Sequence, residues 1–266
     1  MRFTKITASI GPKCEDKKTL TAMIKAGVNV CRLNFSHDTG EVQGKKIDLI
    51  RDISKKLHTP VAVMIDLQGP KHRIGNFKTE DKYPLTVGQK FTFDTNDKLG
   101  DSTRVQLPDA DVMKSLHVGD RILLNDGKIE MTVDAATPKK IVATVVRGNE
   151  IWSRRGFNLP DTEIDTSVLT EKDRADLDYA VTKKPDWVAI SFVQRPEDIA
   201  EVRDFITART SHPIKIIAKI ERPHAVERIA EIAAVADGIM IARGDLAVEV
   251  PFDHVPAISR HIIREC

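Results

Sequence analysis

The fold is decided by residues 28–66, which read VNVCRLNFSHDTGEVQGKKIDLIRDISKKLHTPVAVMID. Val28–Phe35 is rich in β-branched and apolar residues, and Val61–Asp66 is an apolar run typical of a buried strand. Between them, Glu41–Leu57 carries isoleucines at helical spacing and predicts an amphipathic helix. A strand, a helix and a second buried strand together indicate a parallel sheet with helices packed outside it.

The same alternation of strand and helix extends in both directions along the chain. Before this stretch, Lys5–Ser9 predicts a strand and Asp16–Ala26 a helix that ends at Gly27. After residue 158 the alternation predicts strands at Trp187–Phe192, Ile214–Ile220 and Gly238–Ala242, and helices at Thr170–Lys183, Glu197–Ala208, Ala225–Val235 and Val255–Glu265. These are six βα units of a (β/α)8 barrel, which needs eight, so we expect two strands to be missing.

Residues 74–157 interrupt the barrel pattern. The helical period disappears there, and short alternating runs replace it at Lys90–Asp94, Arg121–Leu124, Lys128–Val133 and Ile141–Arg147. Turn signals such as Asn125-Asp126-Gly127 separate these runs. We therefore expect an all-β domain inserted after the third strand, so that residues 1–73 and 158–266 form the barrel domain and residues 74–157 form the insert.

Composition excludes several classes of protein. Of the 266 residues, 41 are Lys or Arg and 39 are Asp or Glu, so the net charge of +2 gives no indication of nucleic-acid binding. The three cysteines, Cys14, Cys31 and Cys266, contain no CxxC pair, which argues against a disulfide framework or a structural zinc site. No apolar run approaches the ~18 residues of a membrane span, and the N-terminus does not resemble a signal peptide. We expect a soluble, intracellular protein.

Polar residues follow the predicted barrel strands at their carboxyl ends, where barrel enzymes place their active sites. Arg32 lies in the second strand, Asp66 ends the third, Lys219-Ile220-Glu221 ends the fifth and Arg243-Gly244-Asp245 follows the sixth. Glu221 and Asp245 are suited to Mg²⁺, which takes one or two carboxylates with substrate oxygens and water. A salt bridge to a neighbouring Lys or Arg is the alternative interpretation of the two acids.

The basic residues near these acids point to a phosphorylated substrate. Lys219 lies two residues before Glu221, so both side chains should share one face of the strand, and a lysine there could neutralise a phosphoryl group. Arg32 and Arg73 could bind phosphate oxygens, and the Gly244 amide could face an anion. An ordinary lysine–acid pair, solvated arginines and a turn glycine are the alternatives. These residues predict a Mg²⁺ site for a small anion without naming the reaction.

Longer strings of residues resemble one family, the pyruvate kinases. The resemblance runs in order over essentially the whole chain. It is carried by Thr7–Pro12 (TASIGP), Ala26–His37 (AGVNVCRLNFSH), Asp66–Lys71 (DLQGPK) with Arg73, Leu124–Gly127 (LNDG), Arg155–Pro160 (RGFNLP), Leu169–Asp173 (LTEKD), Ala218–Glu221 (AKIE) and Ala242–Leu246 (ARGDL). The β insertion stands where that family has its lid domain.

The resemblance implies Mg²⁺-dependent phosphoryl transfer from phosphoenolpyruvate to ADP, giving pyruvate and ATP, the last step of glycolysis, in a cytoplasmic enzyme. It implies that Glu221 and Asp245 hold Mg²⁺ and that Lys219 stabilises the phosphoryl group. Arg32 would contact the phosphate, and the Gly244 amide would contact the substrate carboxylate beside Asp245. The full-length family implies a homotetramer, with no nucleic-acid or membrane partner.

The resemblance also implies sites for K⁺ and for the nucleotide. Its K⁺ ligands would be Asn34, Ser36, Asp66 and the carbonyl of Leu67, and its nucleotide contacts would be Asn34, Phe35, Ser36, His37, Arg73 and Arg155. Asp126 on the insert would reach the site when the lid closes.

This sequence departs from the family pattern at four positions. Asp38 and Ala247 stand where glycine is usual, and Arg155 stands where lysine is common. Lys71 occupies the position of a glutamate in K⁺-dependent members, and its ammonium could replace the cation. We therefore expect K⁺ not to be required.

The sequence stops before the last two barrel strands of the family and its C-terminal domain. Two interpretations stay open: a portion of a pyruvate kinase with most ligands present, or a truncated homologue that binds phosphoenolpyruvate or nucleotide without turnover. A Mg²⁺-dependent carbon–carbon lyase would share the acid pair, but it explains neither the insert nor residues 34–37.

Overall fold

The computed structural model describes residues 3–266. Within this range, six strands form one parallel sheet: β1 (Thr7–Ile10), β2 (Val30–Asn34), β3 (Ala62–Asp66), β12 (Trp187–Ile190), β13 (Lys215–Ile220) and β14 (Gly238–Ile241). Their order in the sheet is β1-β2-β3-β12-β13-β14, with every neighbouring pair parallel. The predicted barrel pattern with six βα units and an insertion after the third strand is confirmed. The sheet is therefore an open half-barrel, with β1 and β14 at its edges.

The inserted strands form two further sheets. The strands are β4 (Tyr83–Pro84), β5 (Lys90–Asp94), β6 (Arg104–Gln106), β7 (Arg121–Leu124), β8 (Ile129–Thr137), β9 (Lys140–Arg147), β10 (Glu150–Ile151) and β11 (Phe157–Asn158). One sheet runs in the order β11-β7-β8-β9-β5-β6 and mixes antiparallel pairs with the parallel pair β5–β6, and β4 pairs with β10 in the other.

Most of the helices pack on the barrel sheet; one lies in the insert, and one follows the last strand and borders the carboxyl end of the sheet. Their bounds are α1 (Lys17–Lys25), α2 (Gly40–Lys56), α3 (Ala110–Ser115), α4 (Glu171–Ala180), α5 (Pro196–Thr207), α6 (Pro223–Glu227), α7 (Ile229–Val235), α8 (Arg243–Glu249) and α9 (Val255–Glu265). Thr170 caps α4 in a capping box with Asp173, as the sequence predicts, and Pro196 opens α5. Within residues 3–266 we find no helix with the length and apolarity that crossing a bilayer requires.

Two helix predictions need correction, and one helix was missed. The insert is not free of helix, because Asp109 accepts hydrogen bonds from the N–H groups of Asp111 and Val112 and starts α3, which is too short to show a periodic pattern. The single helix predicted at Ala225–Val235 is two helices, α6 and α7, that meet at Arg228 (φ −101°, ψ 20°). Helix α8 was not predicted at all.

Two large hydrophobic cores accompany this division into barrel and insert, and a third, small cluster of Met64, Ala189 and Ile217 lies on the barrel strands. The first joins the barrel strands to their helices, with Leu33, Ile65 and Ile190 fully buried. The second fills the insert from Ile74 to Phe157 and continues into Leu159 and Ile164. The limits of the insert, 74–157, and the barrel parts 1–73 and 158–266 therefore stay a prediction, since the core of the insert extends past residue 157.

Candidate active site

A cleft of about 170 Å³ opens at the carboxyl ends of the barrel strands. The predicted site residues that line it are Arg32, Asn34, Ser36, Asp66, Lys219, Glu221 and Asp245, together with Lys71. They come from β2, β3, β13 and α8, so the parallel sheet brings together side chains that are up to 213 positions apart in the sequence.

Lys219 is the central cation of the cleft. Its Nζ lies 2.9 Å from Glu221 Oε1 and 3.1 Å from Asp66 Oδ1, and it donates a hydrogen bond to Ser191 Oγ at 2.7 Å. Burial alone lowers the pKa of Lys219, but attraction to Glu221 and Asp66 outweighs burial, so its pKa lies above the usual value. Lys219 is therefore a fixed, charged group. The lysine–acid pair considered as an alternative is present, and it holds the ammonium in the cleft.

Glu221 and Asp245 differ sharply in their surroundings. Glu221 is 2% exposed, and its Oε2 accepts a hydrogen bond from the Phe192 N–H at 2.8 Å. Burial raises the pKa of Glu221, the positive charge of Lys219 opposes that rise, and the negative charge of Asp245 adds to it. Asp245 is exposed in the first turn of α8, and among residues 3–266 its carboxylate has no hydrogen-bonding or ion-pair partner. The cleft thus holds one buried and one unpaired carboxylate that repel each other.

This pair of acids fits a hard divalent cation. The described residues contain no cluster of three or more His, Cys, Asp or Glu side chains that could hold a metal. Mg²⁺ uses one or two carboxylates and completes its shell with substrate oxygens and water. A cation between Glu221 and Asp245 would also remove their mutual repulsion.

Arg32 lies next to this cluster and is held from two sides. Its Nε donates to Asp66 Oδ2 at 2.6 Å, and its Nη1 donates to Ser9 Oγ at 2.7 Å. Asp66 is almost completely buried and also faces Lys219, so one carboxylate orients both cations toward the cleft. Gly244 is exposed as the second residue of α8, beside Asp245.

The remaining residues of the predicted K⁺ site form contacts within the protein. Asn34 Oδ1 accepts from the Ser36 N–H at 2.9 Å, and the Leu67 carbonyl accepts from Ser191 Oγ at 2.7 Å. Because Asp66 already faces two cations, the group retains little unpaired negative charge for a third. Lys71 lines the same cleft and adds a further positive charge.

The predicted nucleotide contacts are only partly brought together. Ser36 and His37 are exposed at the rim of the cleft, but Phe35 is buried in the core, and its N–H and C=O are bonded to Asp66 and Lys172. The other two predicted contacts, Arg73 and Arg155, do not line the cleft. Arg73 Nη1 donates to the Arg154 carbonyl at 3.0 Å, and the Arg155 guanidinium lies 4.8 Å from the Trp152 ring centroid.

Asp126 stands at the tip of the hairpin between β7 and β8, where Asn125, Asp126 and Gly127 all have positive φ. Asp126 and Asp245 line a second cavity next to the cleft. An added Cβ at Gly127 would lie 3.6 Å from the Val248 carbonyl, so the hairpin tip rests close to α8. The insert therefore already covers one side of the candidate site.

Sequence reasoning missed four buried polar residues around the site, Ser191, Gln194, Arg222 and Glu249. Ser191 directly follows β12, and the rule that identified the other strand ends would have found it. Arg222 follows Glu221 and could have been found in the same way. Gln194 and Glu249 lie beyond the strand ends, and their burial depends on contacts between distant segments.

Comparisons with known proteins agree with one another. The family model "Pyruvate kinase, barrel domain" matches residues 1–266. Pyruvate kinases from Methylorubrum extorquens and Clostridium perfringens are 40% and 38% identical to the chain, over 99% and 100% of its length. A crystal structure of a pyruvate kinase from Cryptosporidium parvum superimposes with a TM-score of 0.93, at 33% identity over 99% of the chain. The chain spans about half of these proteins, 54%, 56% and 55% of their lengths.

Proposed function

The chain belongs to the pyruvate kinase family, and from this premise we propose that the protein transfers the phosphoryl group of phosphoenolpyruvate to ADP, giving pyruvate and ATP. The observation that carries the proposal is the position of Lys219, 2.9 Å from Glu221 in a cleft that also contains Arg32 and Asp245. Two fixed cations beside a carboxylate pair suit a substrate that carries both a phosphate and a carboxylate. For the whole protein we also propose the family's homotetramer and a cytoplasmic location.

Glu221 and Asp245 are the proposed holders of Mg²⁺. When bound, the metal neutralises charge on the oxygens of the substrate and orients them. Asp66 does not belong to this pair, because its carboxylate is already engaged by Arg32 and Lys219. Its proposed task is to fix the two cations rather than to bind the metal.

Lys219 is the proposed catalytic group. Phosphoryl transfer spreads negative charge over the oxygens of the transferred group, and the protein acts mainly by positioning and by electrostatic stabilisation. The Lys219 ammonium is held by three oxygens before any substrate arrives, so little reorganisation is needed during transfer. Arg32 is the proposed phosphate contact, and the Gly244 N–H is the proposed partner of the substrate carboxylate.

The nucleotide is proposed to bind at the rim, against Asn34, Ser36 and His37. Phe35 belongs to this segment, but its N–H, C=O and ring are engaged within the protein, so we propose that it supports its neighbours instead. Arg73 and Arg155 would have to leave their present partners, the Arg154 carbonyl and the Trp152 ring, to reach a nucleotide. Asp126, at the tip of the β7–β8 hairpin of the insert, is the proposed lid residue.

Potassium should have little effect on turnover, because the Lys71 ammonium lines the cleft and the Asp66 carboxylate already forms ion pairs with Arg32 and Lys219. We expect the rate of pyruvate formation in K⁺ to be within about twofold of the rate in a bulky organic cation such as tetramethylammonium, since both salts screen exposed charges alike. Lys71→Glu should introduce K⁺ activation, and Lys78→Glu, on an exposed lysine of the insert, is the matched control. Strong K⁺ activation of the unaltered protein would contradict this prediction.

The proposed function is tested first by a thermal melt of the protein alone, with phosphoenolpyruvate, with Mg²⁺, and with both. If the two ligands bind one site together, phosphoenolpyruvate at about a hundred times its dissociation constant in the presence of Mg²⁺ should add about 2.7 kcal/mol of stability, and it should add less when Mg²⁺ is left out. Pyruvate formation after addition of ADP then separates an enzyme from a binding protein. A melt that no ligand shifts, together with no turnover, would contradict the proposal. A shift without turnover would favour the homologue that binds but does not catalyse.

A further inference from the structure

Arg222, the residue after Glu221, is buried and reaches three different parts of the chain. It is 5% exposed, and its Nη1 donates to Gln194 Oε1 at 2.9 Å. Its Nη2 donates to the carbonyls of Leu159 and Thr162 at 2.7 and 3.0 Å, in residues 158–164, the segment that returns from the insert. Its Nε faces Glu249 Oε2 at 3.4 Å. The guanidinium thus joins the ends of β12 and β13, the returning segment and α8.

Glu249 is the partner through which Arg222 acts on the candidate site. It is 5% exposed, and its second oxygen, Oε1, accepts from Asn158 Nδ2 at 3.0 Å, again in the returning segment. Glu249 lies four residues after Asp245 in α8, so the two side chains share one face of the helix. Holding Glu249 against Arg222 therefore sets the rotation of α8 about its axis and the direction in which Asp245 points.

We propose that Arg222 is a positioning residue that aims Asp245 at Glu221 and couples this carboxylate pair to the segment that returns from the insert. The inference rests on the proposed function, because it takes Glu221 and Asp245 as the ligands of a divalent cation. Arg222 does not line the cleft but lines the adjoining cavity with Asp245 and Glu249, and we propose that it acts on the two acids through the backbone that carries them. Asp245 itself has no protein partner among the described residues, so the orientation of α8 must be set elsewhere on the helix.

A purely stabilising role explains the arrangement less well. A buried ion pair contributes little net stability compared with apolar residues of the same size, because both charges lose their hydration. An arginine guanidinium is planar and has five N–H donors in a fixed arrangement, so it holds its hydrogen-bonding partners in a defined geometry. Gln194, which accepts from Arg222, also donates from Nε2 to the Ile164 carbonyl. The hydrogen bonds of Arg222 and of Gln194 therefore both connect the returning segment to the ends of the barrel strands.

The test is the affinity of the protein for Mn²⁺, used as a spectroscopic probe of the Mg²⁺ site and measured from the electron paramagnetic resonance signal of the free ion. Glu249→Gln keeps the size of the side chain and the bond with Asn158 but weakens the hold of Arg222. Arg222→Lys keeps the buried charge but cannot reach all three segments. We expect both variants to bind Mn²⁺ about 10-fold more weakly, the effect typical of groups that orient a metal ligand.

Glu163→Gln is the matched control. Glu163 lies in the same returning segment and accepts from Arg228 at 2.9 and 3.1 Å; Arg228 also donates to the Gln194 carbonyl at 3.4 Å, but among the described residues neither member of the pair hydrogen-bonds to α8. We expect this variant to bind Mn²⁺ as the unaltered protein does. All measurements are made well below each variant's melting temperature, because a merely structural role would lower the melting temperature without changing the affinity for Mn²⁺.

The possible results separate the two proposals. Unchanged Mn²⁺ affinity in either folded variant would overturn the positioning role and leave the proposed function standing. An equal loss in Glu163→Gln would also overturn it, since that would indicate general loosening of the returning segment. An unaltered protein that binds no Mn²⁺, with or without phosphoenolpyruvate, would overturn the assigned ligand pair and the inference with it.

Discussion

Replacing Lys219 with methionine should lower the rate of pyruvate formation by about a thousandfold or more, while phosphoenolpyruvate still binds. The magnitude is that typical of removing a preorganised cation or hydrogen-bond donor from a transferring group. Binding should persist because Arg32 and the carboxylate pair remain in place. Turnover is measured with saturating substrates, and binding is measured separately by the ligand-induced shift in melting temperature.

The same substitution should also destabilise the fold, and the experiment must separate the two effects. Lys219 lies between Asp66 and Glu221, which are 1% and 2% exposed, so its loss leaves two buried carboxylates less well compensated. Removing one partner of a buried ion pair costs about 3–5 kcal/mol. Lys219→Arg keeps the charge and should fold, yet the larger guanidinium cannot occupy the same position, so its rate should also fall.

Lys215→Met is the matched control for this substitution. Lys215 lies on the same strand, β13, but at its amino end, where it is exposed and its Nζ lies 5.2 Å from the Trp187 ring centroid. Its loss should leave the rate within about twofold, as expected for a surface substitution away from the site. Unchanged turnover in a folded Lys219→Met protein would contradict the catalytic role of Lys219.

The strand ends of the candidate site could be predicted because they follow from local rules. Lys219 and Glu221 are two residues apart in a strand, so they had to share a face, and parallel strands had to bring Asp66 to the same edge. The residue types predicted a Mg²⁺ site, which stays a proposal, but they did not predict the reaction. It entered only through the resemblance of long strings of residues to one family.

The parts that were missed depend on contacts between distant segments. The Arg222–Glu249 pair joins residues 27 positions apart, and its burial depends on the returning segment that packs against it. Arg155 was expected at the nucleotide, but the neighbouring Trp152 ring attracts its guanidinium, and no local pattern shows which partner a long side chain will choose. Helix α8 has seven residues and no side-chain cap, so it lacked both periodicity and a start signal.

The two acids of the proposed metal site should respond differently to neutralisation. Asp245→Asn should weaken Mn²⁺ binding at least 10-fold, yet leave the melting temperature without metal unchanged or slightly higher, because Asp245 is exposed and repels Glu221. Glu221→Gln should weaken Mn²⁺ binding as much or more and lower the melting temperature. Its amide can still accept from the Phe192 N–H, but its NH₂ group must then face the Lys219 ammonium.

This contrast tests whether the carboxylates form a ligand pair or merely an ion pair with Lys219. The expected loss of stability in Glu221→Gln is about 1–3 kcal/mol, the usual cost of a buried donor without an acceptor, because Asp66 still faces Lys219. Glu227→Gln, an exposed glutamate in α6, is the control and should change neither quantity. If Asp245→Asn bound Mn²⁺ normally, Asp245 would not be a ligand and the proposed pair would be wrong. If Glu221→Gln also bound Mn²⁺ normally, Glu221 would serve only to hold Lys219, and the metal would have to bind elsewhere.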